Sequence, residues 1–240
     1  MELPTLEEML KTGMHFGHRT FKWHPKMKPY IYGQRQGVYI IDLEKAQANL
    51  QKALEFISDS LAANKTILLV GTKAQAKDLT KKTGQASGVS YVSERWLGGT
   101  ITNFNIIRNS IRRYRDLLEK KATGKLEKYT KKERLNFDHE IARLEIAVGG
   151  LADLNRTPDI IFIWDIKHEA TALAEAKKKG MKIIAVCDTN VDPTGIDFVI
   201  PANDDSSNSV KLILGLVEQA IAEGKAKAEE AKAKETKQVN

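Results

Sequence analysis

At 240 residues, with 38 Lys and Arg against 31 Asp and Glu, the chain carries a formal net charge of +7, long enough for a sizeable core and basic enough to favour polyanionic partners. Its one cysteine, Cys187, excludes an internal disulfide, and no Cys/His spacing suits a zinc finger. No apolar run approaches the ~18 residues of a membrane span and no cationic-then-apolar leader is present, so a cytoplasmic protein of a reducing compartment, with no membrane partner, is expected.

In chain order, Thr5 and Glu8 have capping-box spacing for a short first helix. From Met9 to Ile41 there is then no Asp or Glu, while Arg19, Lys22, Lys26, Lys28 and Arg35 supply positive charge. A face built for solubility mixes both signs; a one-sign stretch makes a local field that favours phosphate. Phe16, Phe21, Trp23, Tyr30 and Tyr32 lie between the cations, and such rings either stack on bases or pack in the core. Phe16 and Tyr30 are expected to point inward, and Trp23 is carried as an RNA-binding candidate. Pro25 and Pro29 stiffen the segment and hold Lys26 and Lys28 with less ordering entropy lost.

"VYIID" (38–42) reads as a short strand, and Asp42 as the N-cap of a helix whose Leu43, Ala46, Leu50, Leu54, Ile57 and Leu61 form one apolar stripe. "TILLVGT" (66–72), "DIIFIWD" (159–165) and "KIIAVCD" (182–188) are continuous apolar runs, as parallel strands buried on both faces require. "SYVS" (90–93) and "FVIP" (198–201) are shorter versions, with helical patterns at 73–83, 168–179 and 206–223. The alternation predicts an α/β fold with a doubly wound, flavodoxin- or Rossmann-like parallel sheet.

The alternation lapses for about sixty residues before the 159–165 strand, longer than an ordinary crossover of roughly 10 to 30 residues. Ile107, Ile111, Tyr114 and Leu118, then Phe137, Ile141, Leu144, Val148 and Leu151, step by threes and fours as two coiled-coil seams, with Gly124 for a turn and Thr130 and Glu133 for a capping box. An inserted antiparallel helical hairpin is predicted. A second basic run, Arg95, Arg108, Arg112, Arg113 and Arg115, crosses its base without an acidic residue, and arginine is the fork that grips phosphate. Residues 224–240 are low in complexity and are expected to be disordered. The organisation is therefore 1–101 (RNA-binding extension and first part of the α/β domain), 102–151 (hairpin), 152–223 (second part) and 224–240 (tail).

Chemistry is poorly represented. No G-x-G and no Gly-Lys-Ser/Thr occurs, so neither the dinucleotide fingerprint nor the P-loop is present. Cys187 sits inside a strand pattern, where a thiol is inert. One constellation is open to two readings. His18 with Asp188, Asp204 and Asp205, brought to one sheet edge, would make a mixed nitrogen and oxygen site for zinc or magnesium; alternatively, the two aspartates in "PANDD" serve a helix N-terminus and Asp188 caps a turn.

The segments "LKTGMHFGHRTFKWHPKMKPYIYGQRQGVYIIDLEKA", "ILLVGTK", "ERWLGGTITNF", "PDIIFIWDIKHEATALAEAKKKG", "VCDTNVDP" and "DFVIPANDD", in this order over about residues 2 to 223, resemble the bacterial small-subunit ribosomal protein S2 family. The resemblance implies a Rossmann-like domain with an inserted coiled-coil hairpin, bound to ribosomal RNA near the junction of head and body and supporting the docking of protein S1. It implies neighbouring small-subunit proteins as partners, no homo-oligomer, no required cofactor and no catalysis. Through "RWLGG" it carries RNA contact onto Arg95 and Trp96. His24 departs from the family's usual Asn. The RNA-binding candidates are thus Arg19, Lys22, Trp23, Lys26, Lys28, Arg35, Arg95, Trp96, Arg108, Arg112 and Arg113. Two other readings stand beside this one: a nucleotide-binding enzyme on a flavodoxin-like sheet, and a protein-only scaffold that uses the hairpin.

Overall fold

The computed structural model describes residues 3–238, with side chains described to residue 231. Helix α1 (Leu6–Lys11) opens on the expected capping box: Thr5 Oγ1 accepts from Glu8 N at 3.2 Å and the Glu8 carboxylate accepts from Thr5 N at 2.8 Å. The basic stretch folds into two strands that its residue pattern does not announce, joined by the strand expected at 38–42. β1 (Phe16–Arg19), β2 (Ile31–Arg35) and β3 (Val38–Ile41) form a small antiparallel sheet in the order β1-β3-β2. Helix α2 (Leu43–Ala62) follows, with Asp42 accepting from Lys45 N at 3.2 Å as its cap.

The body alternates as expected: β4 (Ile67–Val70), α3 (Lys77–Ser87), β5 (Ser90–Val92), α4 (Phe104–Ala122), α5 (Lys131–Val148), β6 (Ile160–Trp164), α6 (Ala170–Lys178), β7 (Lys182–Cys187), β8 (Phe198–Pro201) and α7 (Ser207–Gln238). Five of these strands form one all-parallel sheet, β5-β4-β6-β7-β8. This is the flavodoxin-like order, whose switch point lies between β4 and β6. Successive residues feed opposite cores because side chains alternate across a strand. Ile160, Phe162, Trp164, Ile184 and Val186 pack with α2 and α7, whereas Ile161, Ile163, Ile183, Ala185 and Cys187 pack with α6 and the base of α4 and α5.

Helices α4 and α5 lie side by side in opposite directions, cross-linked by Arg113 to Glu140 and, toward the tip, by Lys121 to Asp138 at 2.7 Å. Ile107, Ile111, Tyr114, Ile141 and Val148 are buried, and Phe137 and Leu144 half-buried. Leu118 is the exception: Leu117 is buried in its place and Leu118 is partly exposed, so the seam steps by three there. A straight 3.6-residue helix drifts out of a strict heptad in this way.

The tail expected to be disordered over 224–240 is helical through the described residues, with 239–240 lying outside them. Helix α7 continues to Gln238. Gly224 sits against α2, where an added Cβ would lie 2.6 Å from the Ser58 carbonyl oxygen. Lys225 Nζ donates to the carbonyls of Ser87 (2.7 Å) and Gly88 (2.9 Å), and Ala228 is buried. The Ala, Lys and Glu composition that reads as low complexity is equally that of strong helix formers, and a packed first turn removes the nucleation cost for the rest.

Candidate nucleic-acid interface

The small sheet is strapped over the carboxyl ends of β7 and β8. His18 N donates to Thr189 Oγ1 at 2.9 Å, His24 N to the Thr189 carbonyl at 2.8 Å, Asn203 Nδ2 to the Gly13 carbonyl at 3.0 Å and Ser206 Oγ to the Thr12 carbonyl at 2.8 Å. Gly17 is required at this junction, since a Cβ there would come within 2.6 Å of Thr189 Cγ2. His24 Nδ1 accepts from Lys26 N at 3.3 Å at the start of a short 3-10 turn, a capping task that an Asn side chain performs equally well.

Arg19, Lys22, Lys28 and Arg35 are exposed, and among the described residues none forms an ion pair. Lys26 differs from this expectation: its Nζ holds Asp192 and Thr194, each at 2.8 Å. Trp23 is half-buried against Tyr39, with ring centroids 5.1 Å apart. Tyr30 packs inward as expected, but Phe16 does not and is 50% exposed. Its row is the outer face of the small sheet, because the inner face is taken by Ile41 in the core.

The loop "RWLGGTIT" is organised by a residue to which the sequence reading attaches no role, Glu175 on α6. Its Oε1 accepts from Trp96 Nε1 (3.0 Å) and Gly99 N (2.7 Å), and its Oε2 from Ile101 N, Thr102 N and Thr102 Oγ1 (3.0 Å each). Burial pushes the Glu175 carboxyl up, but these hydrogen bonds outweigh it and hold the group below the usual carboxylate range. Trp96, expected as an RNA contact, is thus a buried donor with its indole N–H held by Glu175, whereas Arg95 beside it is exposed and without an ion pair among the described residues. A buried carboxylate needs several donors, yet at sequence level Glu175 is one acid in a Lys-rich helix.

On α4 the arginines divide. Arg112 is exposed without an ion pair among the described residues, and Arg108 is half-buried with its Nε lacking a hydrogen-bond partner. Arg113, expected to face RNA, is held by Glu140 in a two-point grip (Nε to Oε1 2.9 Å, Nη2 to Oε2 3.0 Å). Arg115 donates to the Ala152 carbonyl.

At the switch point, where a nucleotide would sit in this fold, Lys73 fills the crevice. Its Nζ lies 3.1 Å from Asp165, 2.8 Å from Asp204 and 2.7 Å from Asp205. Burial opposes its charge, but these carboxylates raise its pKa above the usual range. Thr72 N and Oγ1 close the loop onto Glu169 at 2.7 and 2.6 Å. A ring of four carboxylates repels a phosphate, so the nucleotide-enzyme reading has no site at its expected position.

The metal candidates are gathered at the same edge. Ligand atoms of His18, Asp188 and Asp204 lie within 4.8 Å of one another, with His18 Nδ1 3.0 Å from Asp188 Oδ2. Asp205 is turned away to Lys73 and remains 3.9 Å from His18 Nε2. The hydrogen bond to Asp188 raises the His18 pKa, against burial, with further help from the charges of Asp204 and Asp205. Burial, with Asp165 and Asp188 nearby, raises the Asp204 carboxyl to about 7 despite Lys73. Asp204 Oδ2 is buried with no hydrogen-bond partner, and one imidazole with two carboxylates is a donor set that fits a divalent cation.

A family model described as ribosomal protein S2 matches residues 9–224. The chain is similar to proteins named small ribosomal subunit protein uS2 from three bacteria: Geotalea uraniireducens (44% identical over 92% of this chain and 86% of the relative), Coprothermobacter proteolyticus (43%, 94% and 84%) and Mesorhizobium japonicum (45%, 93% and 86%).

Proposed function

The chain belongs to the ribosomal protein S2 family, and from that premise we propose that it anchors to ribosomal RNA through a set of unneutralised cations. It is a structural constituent of the small ribosomal subunit and not an enzyme. Among the described residues no helix is long and apolar enough to cross a membrane. The observation that carries the RNA reading is the division among the basic residues: Arg19, Lys22, Lys28, Arg35, Arg95 and Arg112 are exposed with no ion pair among the described residues, while Lys26 and Arg113 are neutralised within the chain. A cation left without a carboxylate on a folded surface keeps its full attraction for phosphate.

Six phosphate contacts imply a slope near −5 for log affinity against log salt, at ~0.9 per contact on a duplex-like site. A filter-binding titration of the full chain with small-subunit ribosomal RNA is expected to give that slope, and Arg19→Ala or Arg35→Ala to reduce it by about one each. Arg113→Ala is expected to leave it unchanged. A salt-independent affinity, or an equal effect from Arg113→Ala, rules the reading out.

The finer placement, near the junction of head and body with protein S1 docking alongside, rests on family membership; the sheet edge bearing His18, Asp188 and Asp204 is the surface we assign to a neighbouring protein. At that edge we also infer a bound divalent cation, zinc or magnesium, held by His18, Asp188 and Asp204, because Asp204 Oδ2 is otherwise an unpartnered buried oxygen. The cation would fix the small sheet to the body, joining β1 to the ends of β7 and β8. Metal analysis after dialysis is expected to find one equivalent in the native chain and none in Asp204→Asn; a metal-free native chain excludes the site.

A further inference from the structure

We infer that the outer face of α5 is a docking seam for one amphipathic helix of a neighbouring small-subunit protein, a helix with an apolar stripe, carboxylates along one flank and a cation on the other. The inference rests on membership of the small subunit and stands apart from the RNA-binding reading.

Helical spacing carries it. Successive residues of a helix turn by about 100°, which places Phe137, Ile141, Leu144 and Val148 on one side of α5, the seam it shares with α4. There Ile141 and Val148 are buried and Phe137 and Leu144 half-buried. Leu135, His139, Ala142 and Ile146 recur at steps of four, three and four on the opposite side, and all four are exposed, Leu135 at 54% and Ile146 at 63%. Scattered exposed apolar residues are ordinary on a protein surface. A row of this spacing over three turns, about 16 Å, is the anchor pattern by which one helix receives another. Helix α5 thus repeats on its free side the spacing with which it holds α4. Ala142, small and in the middle of the row, lets a second helix approach closely. At the foot of the row, Ile146 borders a cleft lined by Lys81 and Gln85 of α3 and Tyr91 of β5, so the row runs on into a recess of the body.

The charges beside the row identify the occupant. On one flank stand Lys132 and Arg143, both exposed and without an ion pair among the described residues. On the other stand Asp138, already held by Lys121 at 2.7 Å, and Glu145, exposed and without an ion pair among the described residues, with Lys131 at the tip end. A phosphate backbone would meet Asp138 and Glu145 as like charge, and it gains nothing from Leu135, Ala142 and Ile146. A second copy of this chain fits poorly as well. An antiparallel two-fold pairing of the rows sets each flank against its own equivalent, so the Lys132 and Arg143 flanks would face each other. A helix with carboxylates opposite Lys132 and Arg143 and a cation opposite Glu145 matches both flanks while it covers the apolar row.

The test uses purified small subunits carrying the full chain with a photoreactive benzophenone side chain at Leu135 or Ile146, and at the exposed Lys52 of α2 as a control. Both α5 positions are expected to crosslink to the same protein, and the α2 position not to it. Leu135→Glu combined with Ile146→Glu is expected to weaken rebinding of the chain to subunits stripped of it by about tenfold, with the melting temperature and the salt slope on free ribosomal RNA unchanged. Ala142→Glu, a single exposed change, is expected to give the same loss and serves where the double variant melts early. Arg143→Glu is expected to cost about threefold, and less at high salt. Crosslinks to ribosomal RNA, crosslinks between copies of this chain, or no crosslink from either α5 position overturn the inference. Rebinding of both Glu-bearing seam variants within about twofold of the native chain overturns it whatever the crosslinks show. Arg19→Ala and Arg35→Ala test the RNA-binding reading separately: they are expected to lower the salt slope and to leave the α5 crosslinks in place.

Discussion

Glu175→Gln is expected to lower stability by about 3 to 5 kcal/mol, the largest effect of any single isosteric change in the body. The carboxylate accepts five hydrogen bonds, two at Oε1 and three at Oε2. Whichever oxygen becomes the amide nitrogen, it meets at least two donors, and each buried donor left without an acceptor costs about 1 to 3 kcal/mol. For a domain of this size that is a fall in melting temperature on the order of 10 °C. The pH dependence has a definite sign. A carboxyl held below its ordinary value binds fewer protons when folded, so its contribution is fully present above the unfolded value of about 4.3 and is lost as pH falls through the lower folded value. The gap between native and Glu175→Gln proteins is therefore constant near neutrality and narrows in acid. Thermal melts from pH 3 to 8 check both statements, and a variant that melts within about 2 °C of the native chain at pH 7 contradicts them. Because Glu175 also sets the loop that presents Arg95, the folded variant is expected to lose about one unit of salt slope in RNA binding.

The second large effect is expected at Lys73. Lys73→Met removes the cation from between Asp165 and Asp204, both nearly inaccessible, and Asp205. Removing one partner from a buried ionic cluster costs about 3 to 5 kcal/mol because the remaining charges are left unpaired. Asp204 already titrates near 7, so the variant relieves part of this cost by protonation and the lower end of the range is expected. In the metal-free protein, adding Asp204→Asn to Lys73→Met is expected to recover about 1 kcal/mol or more, since a neutral amide of the same shape replaces a carboxylate left with neither Lys73 nor a cation. Denaturant melts of the two single variants and the double variant measure this coupling. A double variant no more stable than Lys73→Met would mean that the cluster is not an electrostatic unit.

Much of the body is legible in the residue pattern. The apolar runs at 66–72, 159–165 and 182–188 contain strands β4, β6 and β7, because a strand covered on both faces has no polar positions to break the run. Thr5, Asp42 and Thr130 cap the helices that their spacing predicts, because a cap acts over three residues and its geometry is written in the local sequence. The small antiparallel sheet is less legible. β1 and β2 carry charged, glycine and aromatic residues without clean alternation, and both contain irregular pairing, so the period-two signal is broken where the bulges fall. For the same reason Phe16, expected to point inward, lies on the outer face.

What the sequence determined by itself is the charge inventory and the fold class: the carboxylate-free stretch from Met9 to Ile41 and the five buried strand patterns follow from residue type and spacing alone. Tertiary structure decided which cations remain available. Arg113 is neutralised by Glu140 across 27 positions, Lys26 by Asp192 across 166, and Trp96 is claimed by Glu175 across 79. The physical reason is range. Backbone hydrogen bonding, capping and apolar periodicity act over a few residues, whereas an ion pair or a buried donor is satisfied by whatever group the folded chain brings within about 3 Å, and composition carries no record of that neighbour.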